Sequence, residues 1–255
     1  MPQHESPRRL MRGVRRSPWC LEECGVLVVG IGESAIEPGL LAGRIRCPDC
    51  GAPLAPWGHA REREVRMRYG GRLLRPRRGR CGPCDATHVV LPATVVPRRR
   101  DCTEVIGQAL FAAACGAGHR TIAAELDRPP GTVRGWLRAF GRRAETIGRC
   151  GSRWAVSLGE ELPRRWPAES PVAYGVEALR WAYAACVERF GRIADFWELL
   201  VAMTGGYLLR GRPRDPPDFP RCAELGGLQL RLTGGASTVD TSACTAPETN
   251  APSRP

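Results

Sequence analysis

Hydrophobic positions along the chain repeat with two different periods, and the change from one to the other falls near residue 100. Upstream, Arg63, Val65, Met67 and Tyr69 alternate with Glu62, Glu64, Arg66 and Arg68, a period of two that predicts a half-exposed strand. Gly70-Gly71 supplies a hairpin turn, and a second strand runs from Arg72 to Arg75, with Pro76 marking an edge. Gly25 to Gly30 reads as a short strand, Ile36–Ala42 as a brief helix, and His88 to Val96 as an extended apolar run that ends at Pro97.

Downstream the spacing becomes helical. Val105, Ile106, Ala109 and Leu110 predict a helix from Cys102 to Cys115, closed by Gly116 to Gly118. Ile122, Ala123 and Leu126 mark a short second helix, and Asp127-Arg128-Pro129-Pro130 breaks it. Val133, Trp136, Leu137 and Phe140 then form the buried stripe of a third, which leaves Thr132, Arg134, Gly135 and Arg138 facing outward. A longer helix starts at Ser170, an N-cap followed by Pro171, and another runs from Ile193 to Val201 before Gly205-Gly206.

The predicted fold class is α+β: a small β module whose two Cys-x2-Cys pairs, Cys47/Cys50 and Cys81/Cys84, mark it as a zinc-ribbon β module, a three-helix helix-turn-helix domain and a C-terminal helical pair. The expected boundaries are a disordered extension over 1–24, the ribbon and a basic arm over 25–100, and the helix-turn-helix over 101–148. A helical region over 149–210 and a disordered tail over 211–255, rich in Pro, Gly, Ser and Thr, complete the chain.

Charge sharpens this division. All 38 basic residues are arginine and the net charge is +12. Residues 44–100 hold 14 Arg against 4 Asp or Glu, a local excess of +10, whereas 101–145 are nearly balanced at 6 against 5. GC-rich coding accounts for much of the arginine, but the planar guanidinium still suits phosphate and guanine. A basic block of this kind predicts a polyanionic partner, most simply double-stranded DNA. No stretch reads as a membrane span or signal peptide, so a reducing cytoplasm is expected for the 12 cysteines, where paired thiols bind metal rather than form disulfides.

Cys47-Pro48-Asp49-Cys50 and Cys81-Gly82-Pro83-Cys84 are two such pairs, separated by 30 residues. Two knuckles joined by a hairpin bring four thiolates to the corners of a tetrahedron, the arrangement that holds structural zinc. Cys47, Cys50, Cys81 and Cys84 are the expected Zn2+ ligands, with His59 and His88 as alternative donors. Four cysteine ligands leave no open position for a catalytic water. In the helical part, a helix that buries one side and presents Arg134 and Arg138 on the other suits a DNA major groove, although an ordinary helical hairpin with solvated arginines has the same pattern. The candidate DNA-binding residues are Arg98, Arg99 and Arg100 of the arm, with His119, Arg120, Thr132, Arg134 and Arg138.

The opening Cys47-Pro48-Asp49-Cys50-Gly51, Trp57-Gly58-His59-Ala60-Arg61 and the knuckle Cys81-Gly82-Pro83-Cys84 resemble the amino-terminal module of bacterial transposon-encoded proteins. With Gly118-His119-Arg120-Thr121-Ile122-Ala123 and Thr132-Val133-Arg134-Gly135-Trp136-Leu137, the chain over roughly 25–210 is similar to an uncharacterised ribbon plus helix-turn-helix family of high-GC bacteria. The resemblance implies modules that bind the ends of a mobile element while a separate domain cuts the DNA. One departure is Asp127, where such turns often carry glycine. The region after Glu145 offers no strand ladder for a nuclease domain, and Asp195 and Glu198 share a face of a helix explained by packing. A non-enzymatic, zinc-dependent, sequence-specific DNA-binding protein is therefore expected, either transposon-associated or active in transcription regulation. It would act with a separate transposase or as a homodimer. A catalytically competent transposase or recombinase, or a protein–protein assembly module, are the alternatives.

Overall fold

The computed structural model describes residues 25–30, 32–159, 161, 169–191 and 194–210. The segments expected to be disordered, 1–24 and 211–255, lie outside the described residues, as does Ile193. The chain is mixed α+β, with a small sheet followed by helices.

The sheet has four strands in the order β1-β6-β5-β2. β1 (Val26–Val29) runs parallel to β6 (Thr87–Pro92), while β5 (Arg77–Cys81) is antiparallel to both β6 and β2 (Leu54–His59). Side chains alternate across β1 and β6, as a period of two requires. Leu27, Val29 and Val90 turn to one side, against Ile36 and Leu40 of α1 (Glu33–Leu41), Ile45, Leu54, Cys47 and Cys81. Val26, Val28, Val89 and Leu91 turn to the other side and join the larger core of the helices. The residues that pair, Val26 to Val29 with Val89 to Pro92, are all apolar because they are covered on both faces. Gly79 keeps the smaller core tight, since a Cβ there would come within 3.0–3.1 Å of the Leu54 and Leu40 side chains.

The hairpin expected at Gly70-Gly71 forms from β3 (Arg63–Arg66) and β4 (Gly71–Leu74), but it is a separate two-stranded sheet. Its Val65 and Leu74 are fully buried in the larger core, so it stands on the helical body and does not join the cysteine knuckles. That joining is done by β2 and β5, which pair Leu54 with Cys81. The apolar pattern of the sequence does not predict these strands, over 54–59 and 77–81.

The helical body follows. α2 (Thr103–Ala114) is fixed at its start by Thr103, whose hydroxyl donates to the Ala93 carbonyl at 2.6 Å. α3 (His119–Glu125) and α4 (Pro130–Gly141) are the two short helices foreseen, and Pro130 is the first residue of α4, where a missing N–H costs nothing. Between them Asp127 itself adopts the left-handed conformation, at φ 52°. α5 (Ala144–Ser157) lies against α6 (Pro171–Phe190). Ser170 caps α6 by accepting the Ala173 amide at 3.1 Å, and Gly205 ends α7 (Phe196–Thr204) at φ 56°. A final turn, α8, spans Tyr207–Arg210. No described helix is long and apolar enough to cross a membrane.

Candidate metal centre and basic helical face

The two cysteine knuckles are built alike. In the first, the Cys47 amide donates to the Ala52 carbonyl at 2.8 Å, and Gly51 takes a positive φ of 73°. In the second, the Cys81 amide donates to the Ala86 carbonyl at 2.8 Å, and Asp85 takes φ 53°. Each loop thus folds its chain back with one left-handed residue directly after the second cysteine, a position that glycine fills without strain and that aspartate tolerates. Arg80 pairs with the Asp85 carboxylate and holds that turn from the strand behind it.

The β2–β5 pairing then brings the knuckles together. The four sulfurs of Cys47, Cys50, Cys81 and Cys84 all lie within 4.8 Å of one another. Cys50 Sγ is 3.4 Å from Cys81 Sγ, and Cys47 Sγ is 4.0 Å from Cys84 Sγ. Four thiolates at about 2.3 Å from a central metal would be separated by about 3.8 Å along each tetrahedral edge. The observed separations bracket that value, so this donor set fits a tetrahedral ion. Removal from water raises the Cys81 thiol to about 11 and pushes Cys84 higher still. At Cys50 burial also acts upward, but the Ala52 amide and the neighbouring sulfurs outweigh it and bring the thiol below its ordinary value. A cation bound by the cluster would displace protons from its thiols.

His88 is buried beside the cluster, with Nε2 3.6 Å from Cys47 Sγ. Burial lowers its pKa, and the nearby Asp49 carboxylate acts against that shift. Cys47, Asp49 and His88 bring one donor atom each within the same 4.8 Å limit. His88 thus neighbours the four sulfurs. His59, by contrast, is exposed on β2 beside Arg77.

The candidate DNA-binding residues occupy three places. On α4, Val133, Trp136, Ala139 and Phe140 are buried, whereas Arg134, Gly135 and Arg138 are exposed and Thr132 is half-exposed. Arg134 and Arg138 form no ion pair with any described residue. At the start of α3, Arg120 is exposed and His119 half-exposed. The arm is no free extension, because the Arg66 amide donates to the Arg100 carbonyl at 2.7 Å and the Cys102 amide to the Arg66 carbonyl at 3.0 Å. Within it Arg98 points to solvent at φ 63°, while Arg100 pairs with Glu64 at 3.1 Å. Arg99 is half-buried, donates to the Leu209 carbonyl at 3.4 Å, and has its pKa lowered by burial and by Arg143.

The dense arginine block is partly spent inside the protein. Arg66, Arg72, Arg77, Arg80 and Arg100 are paired with Asp101, Glu33, Glu37, Asp85 and Glu64. Arg44, Arg61, Arg75 and Arg98 are exposed and form no ion pair with described residues.

Sequence reasoning missed Asp101 and Arg128. The Asp101 carboxylate is almost wholly buried and accepts Arg66 at 2.7 Å and Arg128 at 2.6 Å. Arg128 also donates to the carbonyls of Met67, Leu126 and Asp127. One carboxylate thereby fastens the arm, the β3–β4 hairpin and the α3–α4 turn together. No periodicity announces a pair set 27 residues apart.

A family model described as a domain of unknown function (DUF6431) matches residues 47–136. The matched stretch opens at the first cysteine of the cluster and closes at Trp136, within α4. No curated protein and no solved structure matches the chain.

Proposed function

We propose that this chain is a sequence-specific double-stranded DNA-binding protein, acting through a helix-turn-helix formed by α3 and α4 and steadied by a structural zinc ribbon. The observation that carries the proposal is α4. Its inner face is locked by Trp136 and Phe140, and its outer face offers Arg134 and Arg138 four residues apart, hence on one side of the helix. Thr132 and Arg134 lie in the first turns, where such helices meet base edges. The left-handed Asp127 supports the assignment, since it makes the sharp turn that glycine makes elsewhere.

Cys47, Cys50, Cys81 and Cys84 would hold zinc, whose four bonds cross-link β2, β5 and the two knuckles. All four positions are filled by protein, so the ion would serve the fold. The exposed arginines would contact phosphate and set the register on the duplex, and α4 would supply the sequence preference. Such a protein fits a mobile-element accessory or a transcriptional regulator.

The test is a randomised-site selection on the intact chain and on Arg134→Ala. The wild type should recover a defined motif, and Arg134→Ala should lose roughly 1–3 kcal/mol on that site and relax one or two base pairs. Identical motifs from both proteins would remove Arg134 from base recognition. No enrichment by the wild type would sink the DNA-binding assignment.

A further inference from the structure

The β3–β4 hairpin is rooted in the larger core and ends in a bare aromatic ring. Val65 and Leu74 anchor it, and Met67 packs beside them. At its tip the Met67 amide donates to the Gly70 carbonyl at 3.0 Å, and Gly70 turns the chain at φ 72°. Between them Tyr69 is 86% exposed, more than any other large hydrophobic among the described residues. The Arg68 guanidinium carbon lies 5.5 Å from the centre of its ring.

Two bonds hold this tip against the α3–α4 turn. Arg68 donates to the carbonyl of Glu125, the last residue of α3, at 2.6 Å. Arg128, two residues before the start of α4, donates to the Met67 carbonyl at 2.5 Å. The tip therefore stands beside the amino-terminal end of α4, the end that carries Thr132 and Arg134. From Arg66 to Arg72 the hairpin carries no acidic residue, and with Arg66 paired to Asp101 and Arg72 to Glu33, Arg68 is the charge at the tip. Nothing in the core uses the tyrosine ring.

We propose that the Arg68–Tyr69 tip is a second contact with the duplex, gripping the sugar–phosphate backbone that flanks the groove entered by α4, a role that rests on the DNA-binding reading of that helix. The ring packs on deoxyribose and its hydroxyl donates to a phosphate oxygen, while the guanidinium N–H groups that Glu125 leaves over face the same strand. The positive tip complements the polyanion, and the fixed link to the turn makes it a clamp of set reach.

Tyr69 is so exposed that its replacement leaves the fold intact, which makes the test direct. Zinc-loaded full-length wild type, Tyr69→Ala and Tyr69→Glu are compared on the selected duplex by fluorescence anisotropy and hydroxyl-radical footprinting. Losing the ring should weaken binding about fivefold, and placing a carboxylate against phosphate about tenfold or more, with protection lost on one flank and the selected motif unchanged. Affinities within about twofold of wild type and a complete footprint for both variants would overturn the proposal while leaving α4's role standing. Loss of a chain–chain association in the ultracentrifuge, with the footprint unaltered, would overturn it in favour of an interface between copies. A wild type that binds no duplex removes both the tip's role and the reading of α4 on which it rests.

Discussion

Two cores share the β1–β6 pair of strands, and they are held together by different means. On one side Ile36, Leu40, Ile45, Leu54 and Val90 gather behind the cysteine knuckles. On the other, the hairpin and α2 to α8 enclose a far larger apolar cluster with Trp136, Phe140, Trp154 and Trp197. Burial scales with apolar area while ordering costs scale with chain length, so the larger side can stand on packing and the smaller cannot. The difference explains where the cysteines sit. Cys47 and Cys81 are part of the small core itself, and a metal held there would cross-link the side that lacks bulk.

Removing the metal is the strongest way to break this comparison. Binding at a four-thiolate site is worth roughly 10–16 kcal/mol, all of it coupled to folding of the small side. Chelation, or Cys50→Ser, should let the amides of β2 and β5 exchange freely with deuterium, while those of α2, α4 and α6 stay protected. Uniform loss of protection in both halves would mean that the shared strands transmit the damage. Unchanged protection would mean that five aliphatics suffice without a metal. Elemental analysis of the purified chain checks that the ion is zinc and is present once.

A cut on the opposite side comes from Asp101. Its carboxylate lies between Arg66 and Arg128, and the Arg128 side chain is itself only 8% exposed. Asp101→Ala leaves buried guanidinium charge without its partner and should destabilise the helical body by about 3–5 kcal/mol in denaturant unfolding. The hairpin and the α3–α4 turn should come loose together, seen as faster exchange at Met67 and Asp127. A loss below about 1 kcal/mol would show that the carbonyls around Arg128 hold the turn without the ion pair.

These two sites also differ in how far the residues announced them. The cysteine cluster was legible because metal ligands come in fixed local spacings, Cys-x2-Cys twice over. The strands that carry it were not. β2 contains Pro56 and Gly58, and β5 is mostly arginine around Gly79, so neither shows a period of two in apolar residues. The hairpin at Gly70-Gly71 was recognised, but its partner core was mistaken, because alternation gives the buried face and not what covers it. α5 escaped for a related reason. Gly148 and Gly151 look like helix breakers, yet Cβ atoms there would lie 2.2 Å from the Tyr174 ring and 2.9 Å from the Ala178 backbone. They let α6 approach closely, which only the packed pair reveals. α2, α3 and α4 are legible from their apolar spacing and the glycines and prolines that bound them, and the start of α6 from its Ser170 cap and Pro171.

The smallest expected effect concerns the arm between β6 and α2. Treated as three equivalent phosphate ligands, Arg98, Arg99 and Arg100 would each add equally to the salt dependence of DNA binding. Their surroundings separate them. Arg99 is half-buried and committed to the Leu209 carbonyl, and Arg100 is paired with Glu64, so of the three Arg98 offers the least encumbered charge. Arg98 also sits at φ 63°, where glycine is at ease. Arg98→Gly therefore removes the charge without straining the backbone. A plot of log K against log salt should flatten by about 0.9, the share of a single neutralised phosphate, equally on preferred and random duplexes. Arg99→Ala should instead lower stability, with little change in that slope. An unaltered slope in Arg98→Gly would take the arm out of the interface and leave phosphate binding to other exposed arginines such as Arg44, Arg61 and Arg75.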